Sequence, residues 1–459
     1  MKINPISFLL IFFSGVATAV WSPYNLKVGY YDQLTHSVNI YWRNGETYNK
    51  VLARVHTDGR DDFQTDLAGD SKGYVFTNIM PGHVYRFSVE GQEAFGGRYS
   101  SWTEVYWTAP LDAVPPNTWT TKTLTPNGFP TDASGIASVS RLPGSMEFWY
   151  LRTDGSVQGQ WWGNGHWNPY ELAPPGSAHP DCGIVAISRV SNQMEVWFIS
   201  PKGALIDCLW VQGQNWSCVQ RSSEGSAAVN SRIAAVSRHS GTIELWYING
   251  YGGVIDWYFY EGKGWGSWQI IPNDVVSMSG GIAAVSRAKD TIELFVTRND
   301  GSIRDHYFYE KDGWHDQEVA PPGSASATGS ISVVSRMSNT MELWYIGKDG
   351  SIRDLYWYEG DHWKGFELAG PGSAPTEGAI KALARNEFVM DVWYTGSDGS
   401  IRGCNWMENS NWNCYTLSGP STAVTIAGIG AVARSGTYED VFFVSEDRTI
   451  VDVSYAPPK

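Results

Sequence analysis

Residues 281–327 read GIAAVSRAKDTIELFVTRNDGSIRDHYFYEKDGWHDQEVAPPGSASA, and this stretch returns six more times along the chain with small changes. An arginine closes a short apolar run in every copy: Arg141, Arg189, Arg238, Arg287, Arg336, Arg385 and Arg434, spaced by 48 residues once and by 49 thereafter. Six positions after each stands an acid: Glu147, Glu195, Glu244, Glu293, Glu342, Asp391 and Asp440. Two further on stands an aromatic: Trp149, Trp197, Trp246, Phe295, Trp344, Trp393 and Phe442. Each copy holds four extended segments. GIAAVSR, TIELFVT and SIRDHYFYE alternate or run apolar with many β-branched and aromatic residues, and WHDQEVA follows. Asp-Gly (Asp300-Gly301, Asp349-Gly350, Asp398-Gly399) separates the second segment from the third, a hairpin signal because glycine tolerates positive φ. A polar turn such as Lys311-Asp312-Gly313 separates the third from the fourth. No helix-period segment competes. Four short antiparallel strands at this repeat length predict the blades of an all-β propeller.

The way the ring closes is also written in the chain. A tryptophan opens the fourth strand at Trp167, Trp216, Trp265, Trp314, Trp363 and Trp412, but the seventh copy ends at Ser454-Tyr455-Ala456 without one. An equivalent strand, Thr118–Leu124, lies upstream of the first copy, with Trp119 48 residues before Trp167. This N-terminal strand is expected to complete the last blade, closing a seven-bladed ring over residues 118–459 and removing an exposed edge.

Residues 1–19 carry Lys2, an apolar run from Ile6 to Val16 and Ala17-Thr18-Ala19, the pattern of a secretory signal peptide. No later run reaches the length of a membrane span, and Ala456–Lys459 carries no lipid-anchor tail. The mature protein is therefore expected to be secreted, extracellular and soluble. A net charge of −14 argues against a nucleic-acid surface, which needs a basic face. The unusual feature is 23 tryptophans and 24 tyrosines in a chain only 17% charged.

Residues 22–110 follow another pattern. Ser37–Trp42, Lys50–Val55, Tyr74–Gly82 and His83–Val89 read as short strands, which predicts a β-sandwich. The segment resembles a fibronectin type III domain. Trp42 matches the core tryptophan, and Pro81-Gly82 followed by Tyr85, Phe87 and Val89 matches the corner-tyrosine strand. That resemblance implies a spacer or adhesion module. Residues 111–117, with Pro115-Pro116, form the linker to the ring.

Cys208 and Cys218 are ten apart in the second repeat, and Cys404 and Cys414 occupy the same positions in the sixth. Both pairs sit equidistant from the turn between third and fourth strands, so their side chains should face each other; in the fourth repeat His306 and Asp316 stand there. With a secretory signal, two intrablade disulfides are expected. Zinc is disfavoured because the pairs lie in remote blades without histidine clusters. Cys182 is left over, as a buried thiol or an intermolecular link.

No nucleophile elbow, zinc-protease helix or phosphate-binding glycine loop is present, and the nine histidines hold no fixed repeat position. The Ser397-Asp398-Gly399 turn lacks the spacing of a sialidase box. Twelve residues after the recurring acid comes a second: Asp207, Asp256, Asp305, Asp354 and Asp452, replaced by Gly159 and Gly403 in repeats one and six. A catalytic carboxylate pair is normally built once per chain. Recurrence instead favours blade architecture or copies of a binding site. As architecture, Arg287 would pair with Glu293 while Asp305 accepts further guanidinium hydrogen bonds. As binding sites, the acids would share interblade grooves with aromatics: hydroxyl partners beside a flat face for the C–H patch of a sugar. The candidates are Glu195, Asp207, Glu244, Asp256, Glu293, Asp305, Glu342 and Asp354, with Trp265, Trp314, Trp363 and Trp412 on the fourth strands. Phe259, Phe308, Trp357 and Trp406 stand on the third. No catalytic residue, metal or cofactor is expected.

Phrases such as Ile233–Arg238, Met341–Trp344, Asp349–Ile352 and Leu355–Gly360 resemble the repeats of the Photorhabdus-type seven-bladed propeller lectins over residues 118–459. The resemblance implies non-catalytic binding of fucose and O-methylated sugars in shallow sites between blades. A more distant likeness is to the six-bladed Aleuria-type fungal fucose lectins. Their sites use arginine on strand two and glutamate on strand three, where this chain has Glu244 and Asp256. The expected function is that of a secreted multivalent lectin for cell-surface or secreted glycans, with blades two to five as the first choice for working sites. A glycan-active hydrolase and an adhesion protein binding protein partners are the alternatives. The sequon Asn215-Trp216-Ser217 is a further modification signal.

Overall fold

The computed structural model describes residues 20–455 apart from 33–36, 58–61, 78, 80–82, 95–96, 110–118, 127–129, 131–134, 409 and 436–437. Residues 1–19 and 111–117, expected above to be a signal peptide and a linker, lie outside the described residues, as do Pro81, Gly82 and Ala456–Lys459. Among the described residues every regular element is a strand, and none is a helix long and apolar enough to cross a membrane. The chain divides into two units, Met1–Asp112 and Ala113–Lys459.

In the first unit β1 (Tyr24–Asp32), β2 (Ser37–Arg43) and β5 (Gly73–Phe76) form one sheet, ordered β1-β2-β5. The other, ordered β4-β3-β6-β7, holds β3 (Tyr48–Thr57), β4 (Phe63–Ala68), β6 (Val84–Glu93) and β7 (Thr103–Thr108). Strand alternation turns Val38, Ile40 and Trp42 of β2, Val51 and Ala53 of β3, and Tyr85, Phe87 and Val89 of β6 into a single core. The extended run expected from Tyr74 onward stops at Phe76. Three strands escape the alternation rule. β1 is broken by register shifts at Tyr24/Lys27 and Val28/Tyr31, while β4 and β7 bury no side chain fully.

The second unit is built, among the described residues, from seven four-stranded antiparallel sheets, numbered I to VII in repeat order. Sheet IV is typical: Ile282–Val285, Thr291–Thr297, Ile303–Tyr309 and Gly313–Ala320, paired in that order. The first strand of each sheet lies beside the first strand of the next, and that of sheet VII (Gly430–Ser435) lies beside that of sheet I (Ile136–Val139). The order therefore closes on itself. Second strands are covered on both faces by the neighbouring sheets; Thr242–Ile248, Thr291–Thr297, Thr340–Ile346 and Val389–Thr395 are buried at every position. Fourth strands form the rim, and Ser217–Gln220 is exposed throughout.

Local chemistry sets the hairpins. Asp300 Oδ1 accepts Ser302 N–H at 2.9 Å and its hydroxyl at 2.7 Å, while Gly301 takes φ of 78°. A Cβ on Gly301 would stand 2.6 Å from Ala325 O, so both conformation and space require glycine there. Asp349-Gly350-Ser351 and Asp398-Gly399-Ser400 repeat the same turn.

The cysteine registry follows from the hairpins: Cys208 pairs opposite Cys218 and Cys404 opposite Cys414, each pair bonded across a Cα separation of 4.0 Å. In sheet IV His306 opposes Asp316, their side chains 3.4 Å apart. Cys182 is a free, buried thiol; burial pushes its pKa up to about 12, and Ile199 N–H lies against its sulfur.

Sheet VII takes its fourth strand from the other end of the unit. β8 (Trp119–Thr123) pairs antiparallel with Ile450–Tyr455, from Tyr455 opposite Trp119 to Val451 opposite Thr123. Trp119 packs on Tyr455 and Tyr415 at centroid distances of 5.6 and 6.2 Å. A chain beginning at Thr125 will leave Ile450–Tyr455 as an open edge. It is expected to melt at lower temperature and to run as soluble aggregate in size-exclusion chromatography, whereas a monomer with unchanged melting would show that closure carries no stability.

Candidate functional site

The repeat arginine lies at the end of the first strand in sheets VI and VII and just past it in the others, beside the seam with the next sheet. In every sheet its guanidinium covers a third-strand aromatic of the following one: Arg141 on Trp210, Arg189 on Phe259, Arg238 on Phe308, Arg287 on Trp357, Arg336 on Trp406, Arg385 on Tyr455 and Arg434 on Trp162. The cation–centroid distances run from 4.7 Å for Arg287 to 5.7 Å for Arg385. Sequence neighbours give no hint of this contact, because the partner stands in another repeat.

In four sheets the same guanidinium hydrogen-bonds the second-strand acid of its own sheet, while Arg141–Glu147 and Arg238–Glu244 stand 3.9 and 3.8 Å apart. Arg287 Nε donates to Glu293 at 2.6 Å, and its other nitrogens donate to Tyr309 and Asn339. Arg189–Glu195, Arg385–Asp391 and Arg434–Asp440 are ion pairs of 2.7, 2.8 and 2.9 Å. Asp305 takes no part in this; the expected further bonds from Arg287 are replaced by Gln317, whose Nε2 donates to Asp305 at 2.9 Å. The second- and third-strand acids stand diagonally across adjacent strands (Phe295 opposes Asp305 and Glu293 opposes Tyr307), so they share one face of the sheet.

All eight candidate acids lie inside. Exposure falls from 5% at Glu342 to 0% at Asp305. Burial pushes the pKa of Glu244, Glu293, Glu342 and Asp207 to about 7. Burial, and then the neighbouring glutamate charge, drives Asp256, Asp305 and Asp354 well above the ordinary carboxylate range. Glu195 is raised by burial against the pull of Arg189. In sheet IV the carboxyls of Glu293 and Asp305 lie within hydrogen-bonding reach of each other, so the two titrate as a pair.

Repeats one and six, which lack the third-strand aspartate, fill its place differently. Opposite Gly159 stands Tyr170 and opposite Gly403 stands Tyr415, where the other sheets carry Val219, Trp268, Gln317, Phe366 and Lys122. The ring of Tyr170 occupies the space of the missing side chain: a Cβ on Gly159 would meet its Cζ at 2.4 Å. Its hydroxyl accepts Trp149 Nε1 at 2.8 Å and donates to Glu147 at 3.5 Å. A phenol thus replaces a carboxylic acid as the proton-bearing partner of the second-strand glutamate.

The fourth-strand tryptophans are wedges between sheets. Trp265 meets Trp197 of the preceding sheet at 5.4 Å, Trp314 meets Trp246 at 6.3 Å, Trp363 meets Phe295 at 5.7 Å and Trp412 meets Trp344 at 5.8 Å. All four are steep edge-to-face contacts, and each ring stays partly exposed. At these four seams the tryptophan of one sheet meets the aromatic that stands two residues after the acid of the preceding sheet.

At the seam of sheets V and VI lies a cavity of about 510 Å³, lined by Glu342, Tyr358 and Phe366 on one side and Trp406, Asn411 and Trp412 on the other. Here the arginine has turned away. Arg336 donates to the backbone carbonyl of Glu387 and to the Tyr358 hydroxyl, and no ion pair joins it to Glu342. Glu342 keeps a 3.3 Å hydrogen bond from Tyr358 and retains acceptor capacity toward the cavity. Trp412 and Glu342 come together; Asp354, Trp363 and the remaining candidates do not line this space. Among the described residues no cluster of histidine, cysteine and acid side chains is placed to hold a metal.

No protein-family model and no curated protein sequence matches the chain. Solved structures do. The BP39L lectin of Burkholderia pseudomallei is similar to 72% of this chain and 98% of its own, with 19% identity and a TM-score of 0.66. A triple-arginine mutant of AofleA from Arthrobotrys oligospora is similar to 66% of this chain and 91% of its own, with 18% identity and a TM-score of 0.50. The likeness is one of fold alone.

Two outcomes follow for stability. The seam carboxyls of Glu244, Glu293 and Glu342 keep their protons in the folded protein up to about pH 7, whereas the ordinary value is 4.5. The folded state then binds more protons than the unfolded chain across that interval, and stability must fall as pH rises through it. Melting temperature is expected to drop steadily between pH 5 and pH 8, with Asp256→Asn flattening the slope; a flat or rising wild-type profile would mean the seams are ionised. Gly159→Asp alone is expected to cost about 1–3 kcal/mol by crowding Tyr170. In chemical denaturation G159D/Y170V, which copies the Asp207 and Val219 pair of sheet II, should recover most of that loss.

Proposed function

We propose that the chain is a secreted, multivalent, non-catalytic carbohydrate-binding protein. In this reading residues 1–19 are a signal peptide and residues 22–110 a fibronectin type III-like module. Residues 111–117 are a linker, and residues 118–459 form a seven-bladed β-propeller that holds fucosylated or O-methylated glycans at its seams. The observation that carries the reading is the cavity of sheets V and VI, where the Glu342 carboxyl, the Ser410 and Asn411 side chains and the Trp406 and Trp412 rings line one space. A pyranose offers the complement of such a wall, with hydroxyls for the polar groups and a C–H face for an indole. The fold likeness to a Burkholderia lectin supports it, as do the seven-fold repeat and its resemblance to propeller lectins. Two disulfides fit passage through an oxidising compartment.

Seam V–VI is the first choice because its acid is not consumed by its arginine. Where the arginine clamps the acid, as at Glu293 with a 2.6 Å bond, less hydrogen-bonding capacity remains for a ligand. A shallow polar pocket binds weakly by itself, since it trades sugar–water contacts for sugar–protein ones. Several such pockets on one ring give avidity on a decorated surface.

Glycan-array binding followed by calorimetry with methyl α-L-fucoside and its O-methylated derivatives tests the reading. Glu342→Gln and Trp412→Ala are each expected to weaken binding about tenfold or more, the scale of a lost hydrogen bond or aromatic contact. Glu293→Gln should change it little. Binding retained at wild-type strength in both folded variants would place recognition elsewhere.

A further inference from the structure

The inner strands enclose a second cavity, of about 580 Å³, along the axis of the ring. Its wall repeats with the sheets, so each position can be compared seven times within one chain. Six residues before the repeat arginine the other copies carry Gly, Ser or Ala, but sheet III carries Arg232. Four residues before it the other copies carry Ala, Val, Ser or Gly, but sheet VI carries Lys381. Six sheets close the ring with small neutral side chains at each position. Neither cation is therefore needed for packing, and each costs desolvation to place there.

Their partners are unequal. Arg232 crosses the lumen and donates to the backbone carbonyl of Thr328 at 3.2 Å, and the charge of Glu377, also on the cavity wall, acts on it. Lys381 makes no hydrogen bond or ion pair among the described residues, and burial alone lowers its pKa. Asp181 is the other acid on the wall. Beside Lys381, Ser332 accepts Ala382 N–H at 2.9 Å, which leaves its own hydroxyl proton to donate into the cavity. An ammonium without a partner among the described residues, a guanidinium with remaining N–H groups and a hydroxyl thus line one cavity, whose acids are Glu377 and Asp181.

We propose that the lumen is a second binding site, distinct from the seams, which takes the oxyanion group of a small ligand, carboxylate or phosphate, against Lys381, Arg232 and Ser332. It does not depend on the seams binding sugar. The probes are inorganic phosphate and acetate, titrated into the full chain by calorimetry and by thermal melting, with sodium chloride at matched ionic strength as the reference. Saturable binding of phosphate alone assigns a phosphate-bearing ligand, and of acetate a carboxylate-bearing one. Lys381→Met, which keeps the aliphatic stem, and Lys381→Ser, which installs the residue that sheet V has there, should each weaken binding about tenfold or more while leaving glycan-array binding unchanged. Neither anion raising the melting temperature beyond the chloride reference would overturn the proposal. So would unchanged affinity in whichever lysine variant folds.

Discussion

A flat cation lying on the aromatic face of the adjacent sheet is the contact on which the second unit depends. A sheet whose second strand is buried on both faces, such as Thr291–Thr297, is stable only between two others. Seven seams must therefore be made, and each uses the same device. Placing guanidinium there brings its own demand, because a charge removed from water must be answered. The second-strand acid answers it. That acid is then buried too, and a third-strand carboxyl or a fourth-strand phenol steadies it by sharing or donating a proton. The recurring polar residues are a single chain of requirements, each created by the one before.

Such a network is closed where it is perfect. Arg385 is held by Asp391 at 2.8 Å and by Glu439 of the next sheet at 3.2 Å, with all three side chains buried. Capacity is freed where one member strays, as Arg336 does in favour of the Glu387 carbonyl. Ligand sites on a repeating scaffold of this kind arise from departures, and the departures are what distinguish one seam from another. The same holds for the lumen, whose two cations are departures from a wall of small residues.

Much of this was legible in the chain. The arginine spacing marked the sheets, the missing tryptophan of the last repeat pointed to Trp119, and equal distances from a turn paired Cys208 with Cys218 and Cys404 with Cys414. Depth was not legible. Alternation tells which residues share a face, but not that Glu244 and Asp256 lie on a face covered by another sheet. The exchange of aspartate for tyrosine was visible as Gly159 with Tyr170 and Gly403 with Tyr415. It gains meaning only once the register sets those residues opposite each other. The arginine–aromatic contact joins residues about one and a half repeats apart, as in Arg287 and Trp357, and no local pattern announces it. In the first unit, β1, β4 and β7 were missed because bulges or solvent-facing residues blur their period.

The partnership of β8 with the last strand has a consequence for how the molecule is made. The Thr120 hydroxyl and the Ser454 carbonyl meet across 334 positions of chain. During synthesis, the strand that seals the structure emerges before any of the seven sheets is finished and must wait, unmatched, for the final one to appear. Six sheets can assemble one after another from local pairings, but the last step joins the two ends and carries the entropy of the longest loop in the unit. A ribosome pausing late in the message would hold an almost finished ring with its latch open.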